Sequence, residues 1–230
     1  MKHLLALFLV CFVAYNVTGQ LIAPVEELPT PADVEITLKD GNEIQGRVTS
    51  VMSVNGTIRS ITVRDVDKNK FKFKAEEMQV MKVRMTELAK LESIGNSSSS
   101  LMEMLNADFE EIISREWVIY EQALLPKKKT KYALLQLLNP GFDSRIKIYQ
   151  NPDANETGET SIGGFAVTGG EDTSYLMVKD GAKSAKVKKA SYRKSFPEIF
   201  DGCEALNEYK DKPKFRDFAA HVFLFNKECE

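Results

Sequence analysis

Two residues with chemical potential stand out by position: Cys203 and Cys229, 26 positions apart in the polar closing stretch from Gly202 to Glu230. A cysteine pair can be a structural staple, part of a metal site or a redox couple. Zinc sites draw on clusters such as Cys-x-x-Cys joined by histidine or further cysteine. Beyond residue 19 the chain offers only these two cysteines and one histidine, His221. Redox couples are ordinarily Cys-x-x-Cys with one thiol activated at a helix start. The staple is therefore the expected role, since two cysteines in an oxidising compartment pair. Closing a loop of this length contributes about 3.5 kcal/mol on the chain-entropy estimate.

Weaker patterns each have a plainer structural reading. Asp153, Asn155 and Thr157 fall at the first, third and fifth places of a calcium loop, with Gly158 at the sixth. The twelfth place, where a bidentate glutamate belongs, is Gly164, so a polar strand connection is the better reading. Lys127, Lys128 and Lys129 sit at a hairpin tip and form a candidate anion patch, as do five lysines between Lys179 and Lys189. Lysines on turns and strand edges also serve simply to prevent edge pairing. The glycine pairs Gly163-Gly164 and Gly169-Gly170 match no phosphate loop. His221 falls on an amphipathic helical pattern, as a core or rim histidine. Adjacent carboxylates such as Glu76-Glu77 point apart on helix or strand. No catalytic residue, metal or cofactor is assigned.

The compartment follows from the start of the chain. Lys2 is followed by an apolar run from Leu4 to Tyr15, and Val17-Thr18-Gly19 ends it before Gln20, which reads as a signal peptide over 1–19. The run is about 12 residues, short of the roughly 20 that span a bilayer, and no later stretch reaches that length. The expected location is extracytoplasmic: periplasm, outer-membrane surface or secreted. This leader holds one of the 31 basic residues and none of the 33 acidic ones, so the remaining chain is net −3. That balance gives no footing for nucleic acid.

A proline-marked leader, 20–33, precedes the first elements. Val34, Ile36 and Leu38 alternate, Asp40-Gly41 turns, and Ile44-Gln45-Gly46-Arg47-Val48 resumes. Turns at Asn55-Gly56 and Asp67 to Lys70 introduce two more strands, and a fifth follows Glu76-Glu77. Gly46 inside a strand fits a tight bend where a side chain would crowd the next strand. Residues 86–114 change to helical spacing around a Ser-rich break and read as a helical linker. Over 115–190 an antiparallel β-meander is expected, and over 191–230 a disulfide-closed helical tail with Phe215, Phe218, Val222 and Phe225 inward.

The order of elements over 34–85, with its Asp-Gly turn and Ile-x-Gly-x-Val strand, resembles an SH3-like small barrel of the Sm-like kind. The resemblance implies binding through loops and exposed strands of one face, which here means Met52, Val54 and the 65–72 turn. The second half resembles uncharacterised exported proteins of Bacteroidetes, on Lys188-Lys189, Phe196 to Phe200, Gly202-Cys203 and Cys229. That likeness implies export and fold order without a mechanism. The expected fold class is α+β: an N-terminal five-stranded SH3-like barrel, a helical linker, and a C-terminal antiparallel β-meander with a small helical tail. The expected function is a non-enzymatic binding or assembly protein of the cell envelope, its partner an envelope protein or polysaccharide. The alternative is a secreted or periplasmic hydrolase whose carboxylate site sequence cannot assemble.

Overall fold

The computed structural model describes residues 21–22, 24–25, 28–85, 116–126, 132–154, 161–162, 165–166 and 174–229. The signal-peptide segment and the helical-linker segment lie outside the described residues. Alternation in the first half becomes five strands: β1 (Ala32–Leu38), β2 (Glu43–Val54), β3 (Thr57–Arg64), β4 (Lys70–Lys74) and β5 (Met78–Arg84). Val34 and Ile36 of β1 turn into the core, where β5 contributes Met78, Met81 and Val83 and β3 contributes Ile61 and Val63. Asn55 and Gly56 both have positive φ, 51° and 67°, the condition a two-residue primed hairpin turn imposes.

β2 is long enough to serve two neighbours. It pairs with β1 from Glu43 to Val48 and with β3 from Arg47 to Val54, and two register shifts bend it between them. Gly46 lies just ahead of these shifts, where β2 begins to meet β3. A Cβ there would stand 2.5 Å from the Arg64 carbonyl oxygen and 2.7 Å from Val63 Cγ1, closer than any side chain tolerates, which is why a strand interior carries glycine.

The barrel is closed by the second half of the chain. β6 (Trp117–Leu124) pairs with β5, β7 (Tyr132–Gln136) pairs with β6, and Leu134 of β7 meets Ile58 of β3. Six strands thus form the ring β2-β1-β5-β6-β7-β3, and β4 hangs outside it on β3. This differs from the expected five-stranded barrel, and the reason is edge satisfaction. Without β6 and β7, β5 and the start of β3 would each present an open edge. The expected division into a barrel over 34–85 and a meander over 115–190 accordingly does not follow the sheets, since β6 and β7 belong to the barrel.

β6 and β7 are covered on both sides. Val118, Tyr120 and Leu134 face the barrel core. Ala123, Ala133 and Leu135 face outward onto Tyr149 and Leu176 of a second sheet, ordered β12-β11-β8, with β8 (Ile146–Tyr149), β11 (Ser174–Lys179) and β12 (Ala185–Lys188). Two further short strands, β9 (Ser161–Ile162) and β10 (Phe165–Ala166), pair with each other. The opposite face of the three-stranded sheet, carrying Ile146, Ile148, Met177 and Val187, is covered by the helical tail.

That tail comprises α1 (Tyr192–Ile199), three short 3-10 turns and α2 (Phe218–Glu228). On α2 the buried residues Phe218, His221, Val222 and Phe225 recur at helical spacing and meet Tyr192, Phe196 and Phe200. The leader is not loose where it is described: the Ile22 amide donates to the Leu138 carbonyl, and Val25 and Leu28 pack on the barrel core. Cys203 precedes the Glu204–Tyr209 turn, Cys229 follows α2, and the two are joined as a disulfide with Cα atoms 5.3 Å apart. Among the described residues no helix is long and apolar enough to cross a membrane.

Replacing Gly46 by Ala is expected to cost about 1–3 kcal/mol by forcing β2 off β3. Equilibrium urea unfolding measures the loss, and Gly46→Val should be worse. Reduction of the disulfide should lower stability by about 3.5 kcal/mol. Alkylation of the oxidised protein before mass analysis should label neither Cys203 nor Cys229, and two labelled thiols would contradict the pairing.

Candidate functional site

Three polar groupings lie in the interior or at the layer boundaries, and each is locked into the fold. Between the barrel and the second sheet, Glu121 of β6 receives both Lys147 Nζ, 2.8 Å from each carboxylate oxygen, and the Tyr149 hydroxyl at 2.7 Å. Asp143 adds a second carboxylate 3.5 Å from Lys147 Nζ. Burial opposes the charge on Lys147, but hydrogen bonds and attraction from Glu121 and Asp143 outweigh it and hold its pKa above the ordinary value. Burial, reinforced by the Glu121 charge, likewise pushes the Tyr149 phenol well up. A lysine held protonated and a tyrosine held neutral clamp Glu121, so this cluster is a bracket between layers.

The second grouping fixes the tail to β8. Asn139 Oδ1 accepts from the Ile148 amide at 2.7 Å while its Nδ2 donates to the Phe142 and Ile146 carbonyls. Asn226 of α2 approaches the same loop from the other side, accepting from the Arg145 and Ile146 amides. The Arg145 guanidinium makes a forked pair with Asp180, at 2.8 and 2.9 Å, and donates to the Cys229 carbonyl. Hydrogen bonding to Arg145 holds the Asp180 pKa below its ordinary range. Asn226 and Arg145 thus tie the tail to the loop before β8, where the disulfide joins the tail's own ends, and nothing in the sequence marked them.

The third is His221, 1% exposed, whose Nδ1 lies 2.7 Å from the Tyr192 hydroxyl. Rings of Phe196, Phe200 and Tyr209 surround it, and among the described residues Nε2 has no hydrogen-bond partner. Burial depresses its pKa, with a smaller opposing effect from Asp217. It is the core histidine expected from its helical position. An open groove of about 300 Å³ on the barrel surface gathers Asp33, Glu35, Asp65, Arg47, Arg64 and Trp117. Asp33 is engaged by Arg47 at 3.2 Å and Glu35 by Lys82 at 3.6 Å.

The strands β2, β3 and β4 form a wing with a different character. Five large apolar side chains among the described residues are exposed, and four belong to this wing: Met52 (52%), Val54 (47%), Val66 (90%) and Phe71 (43%). Met52 and Val54 mark one end of β3, at the β2–β3 turn. Val66 and Phe71 mark the other, and Phe71 stacks on Phe73 with centroids 6.3 Å apart. Between them runs β4, Lys-Phe-Lys-Phe-Lys, whose lysines are exposed.

The polarity of β4's backbone can be read from its ends. Asp65 N donates to Asn69 O and Ala75 N donates to Arg59 O, so residues 69, 71, 73 and 75 turn their backbone groups toward β3. Lys70, Lys72 and Lys74 turn theirs away. Lys74 is satisfied locally, its amide donating to the Glu77 carboxylate at 2.6 Å and its carbonyl accepting from the Glu77 amide at 3.0 Å. Lys70 and Lys72 face the open edge.

The sequence-derived candidates fare unevenly. Met52, Val54, Val66 and Phe71 are each exposed, though the register sets Met52 in the row of Ser60 and Lys74 and Phe71 in the opposite row with Val63, and Cys203 does meet Cys229. Asp153 donates its amide to Asn151 Oδ1 at 3.3 Å, while Asn155 and Thr157 lie outside the described residues, as do Lys127, Lys128 and Lys129. Among the described residues no group of three or more His, Cys, Asp or Glu is placed to hold a metal. The sequence signal for the β4 lysines is the strict Lys/Phe alternation from Lys70 to Lys74. Compared with protein-family models, curated proteins and solved structures, the chain matches none.

His221 generates a pH prediction. Its folded pKa is depressed, so the folded state keeps it neutral while the unfolded chain takes up a proton below about pH 6.5. Its contribution is complete above that value and declines as pH falls toward the folded pKa, by at most about 1.4 kcal/mol per pH unit. Urea midpoints between about pH 7.5 and 5.5 should fall in the parent and less so in His221→Gln. An identical pH dependence in both would refute the assignment.

Proposed function

We propose that this protein is an exported, non-enzymatic binding or assembly component of the cell envelope that engages its partner through the β2–β4 wing. One observation carries the reading. Among the described residues, four of the five exposed large apolar side chains lie on β2, on β4 or in the turn between β3 and β4. The internal polar groups, by contrast, are engaged in holding the layers together. Export is supported by the leader sequence and by the Cys203–Cys229 disulfide, a bond favoured in oxidising compartments.

We read strands β1–β5 as an SH3-like small barrel enlarged by the β6–β7 hairpin. Supporting this are the β5–β1 pairing and the long, bent β2 shared between β1 and β3. A barrel of this kind offers loops and exposed strands on one side as its binding face. A hydrolase would draw its carboxylates from the groove holding Asp33, Glu35 and Asp65. Asp33 and Glu35 are each paired with a cation there, which favours the binding reading.

The test uses the tagged full-length protein isolated from its own cells, with mass spectrometry of protein and glycan that accompany it. The parent should retain a component that the double variant Met52→Asp, Val66→Asp loses, with unchanged thermal stability because both positions are exposed. Equal recovery by parent and variant would remove the wing from the mechanism.

A further inference from the structure

We propose that the open edge of β4 is a strand-addition site that selects an extended polypeptide segment alternating acidic and apolar residues. This rests on the reading of the wing as the binding face and names what binds there. The Lys70 and Lys72 amides and carbonyls point away from β3 with no partner across the edge among the described residues, where β4 is the terminal strand of its sheet. An unpaired row of backbone donors and acceptors is complementary to another backbone, which a polysaccharide or a lipid surface does not supply.

The side chains set the class of segment. Lys70, Lys72 and Lys74 lie in register with Arg64, Thr62 and Ser60 on one face, and Arg47 continues the first of these rows from β2. Phe71 and Phe73 lie in register with Val63 and Ile61 on the other. A strand added to β4 continues both rows, so acidic side chains fall beside the lysines and apolar ones beside Phe71 and Phe73. No acidic residue lies within β4 itself.

The same pattern argues against a second copy of this chain. Lys-Phe-Lys-Phe-Lys reads identically in both directions, so an antiparallel β4–β4 pair that keeps phenylalanine beside phenylalanine also sets lysine beside lysine. Like charges directly opposite are destabilising. The lysines therefore disfavour self-pairing and admit an acidic partner. Phe71, exposed on β4 itself, offers such an occupant apolar surface at that edge.

The probe is a labelled, end-capped peptide of alternating glutamate and valine, titrated with the full chain at low salt and followed by fluorescence anisotropy. Saturable binding is expected, about tenfold weaker when Lys70, Lys72 and Lys74 are all changed to Gln. Lys72→Pro should abolish it while leaving the β3–β4 ladder intact, because that amide faces the open edge, and Lys72→Ala should retain most of it. Absence of saturable binding by the parent, or equal binding by Lys72→Pro, would overturn the proposal. So would binding of dextran sulfate equally by parent and Lys72→Pro with no peptide binding, which would make the lysines a plain polyanion patch. If the cellular component is still lost with Met52→Asp, Val66→Asp but kept by Lys72→Pro, strand addition fails while the binding role of the wing stands.

Discussion

The structure depends on the double burial of the β6–β7 hairpin. Its inward side chains complete the barrel, and its outward side chains are the floor on which the second sheet rests. A strand pair covered on both faces needs apolar residues at successive positions instead of alternate ones. The run Ala133-Leu134-Leu135-Gln136-Leu137-Leu138 supplies them, every one almost wholly buried. The polar member is Gln136, whose side-chain oxygen receives the Val25 amide and so ties the leader to the barrel. Without this hairpin the barrel would lose two staves and the second sheet its support.

The layers stacked on that hairpin are held in place by polar groups at their boundaries. Strand β8 shows the division of labour within four residues: Ile146 and Ile148 face the helices, while Lys147 and Tyr149 face Glu121 across the barrel boundary. Burying three polar side chains costs free energy unless each is paired, and here each is. Such pairing adds little net stability against an apolar alternative, and fixes instead the register at which sheet meets barrel. Asn139 and Asn226 serve the next boundary by satisfying opposite sides of the loop before β8. The disulfide then closes a tail that is already oriented.

Against this frame the β2–β4 strands are distinct in the exposure of Met52, Val54, Val66 and Phe71. β4 is excluded from the barrel ring since β7 takes the place beside the start of β3, leaving β4 only the far half of that strand. Closure of the barrel and exposure of the wing are thus two results of one strand's divided edge. The exposed edge is built from residues of a strand whose barrel neighbour was taken elsewhere.

Much of the local structure was legible in the sequence. Period-two alternation placed β1, β3 and β5, the Asn55-Gly56 dipeptide set its hairpin, helical spacing of Phe218, Val222 and Phe225 placed the inward face of α2, and Gly46 announced a crowded bend. With two cysteines past the leader, their pairing was a matter of counting. What sequence could not decide was which open edge each hairpin would join. Alternation says which face of a strand is buried and nothing about which strand lies beside it. The pairings β5 with β6 and β3 with β7, and the contact of Glu121 with Lys147, join residues distant in the chain. Such contacts are chosen by the total area buried and the edges satisfied once every element is in place, and only the tertiary structure carries that sum.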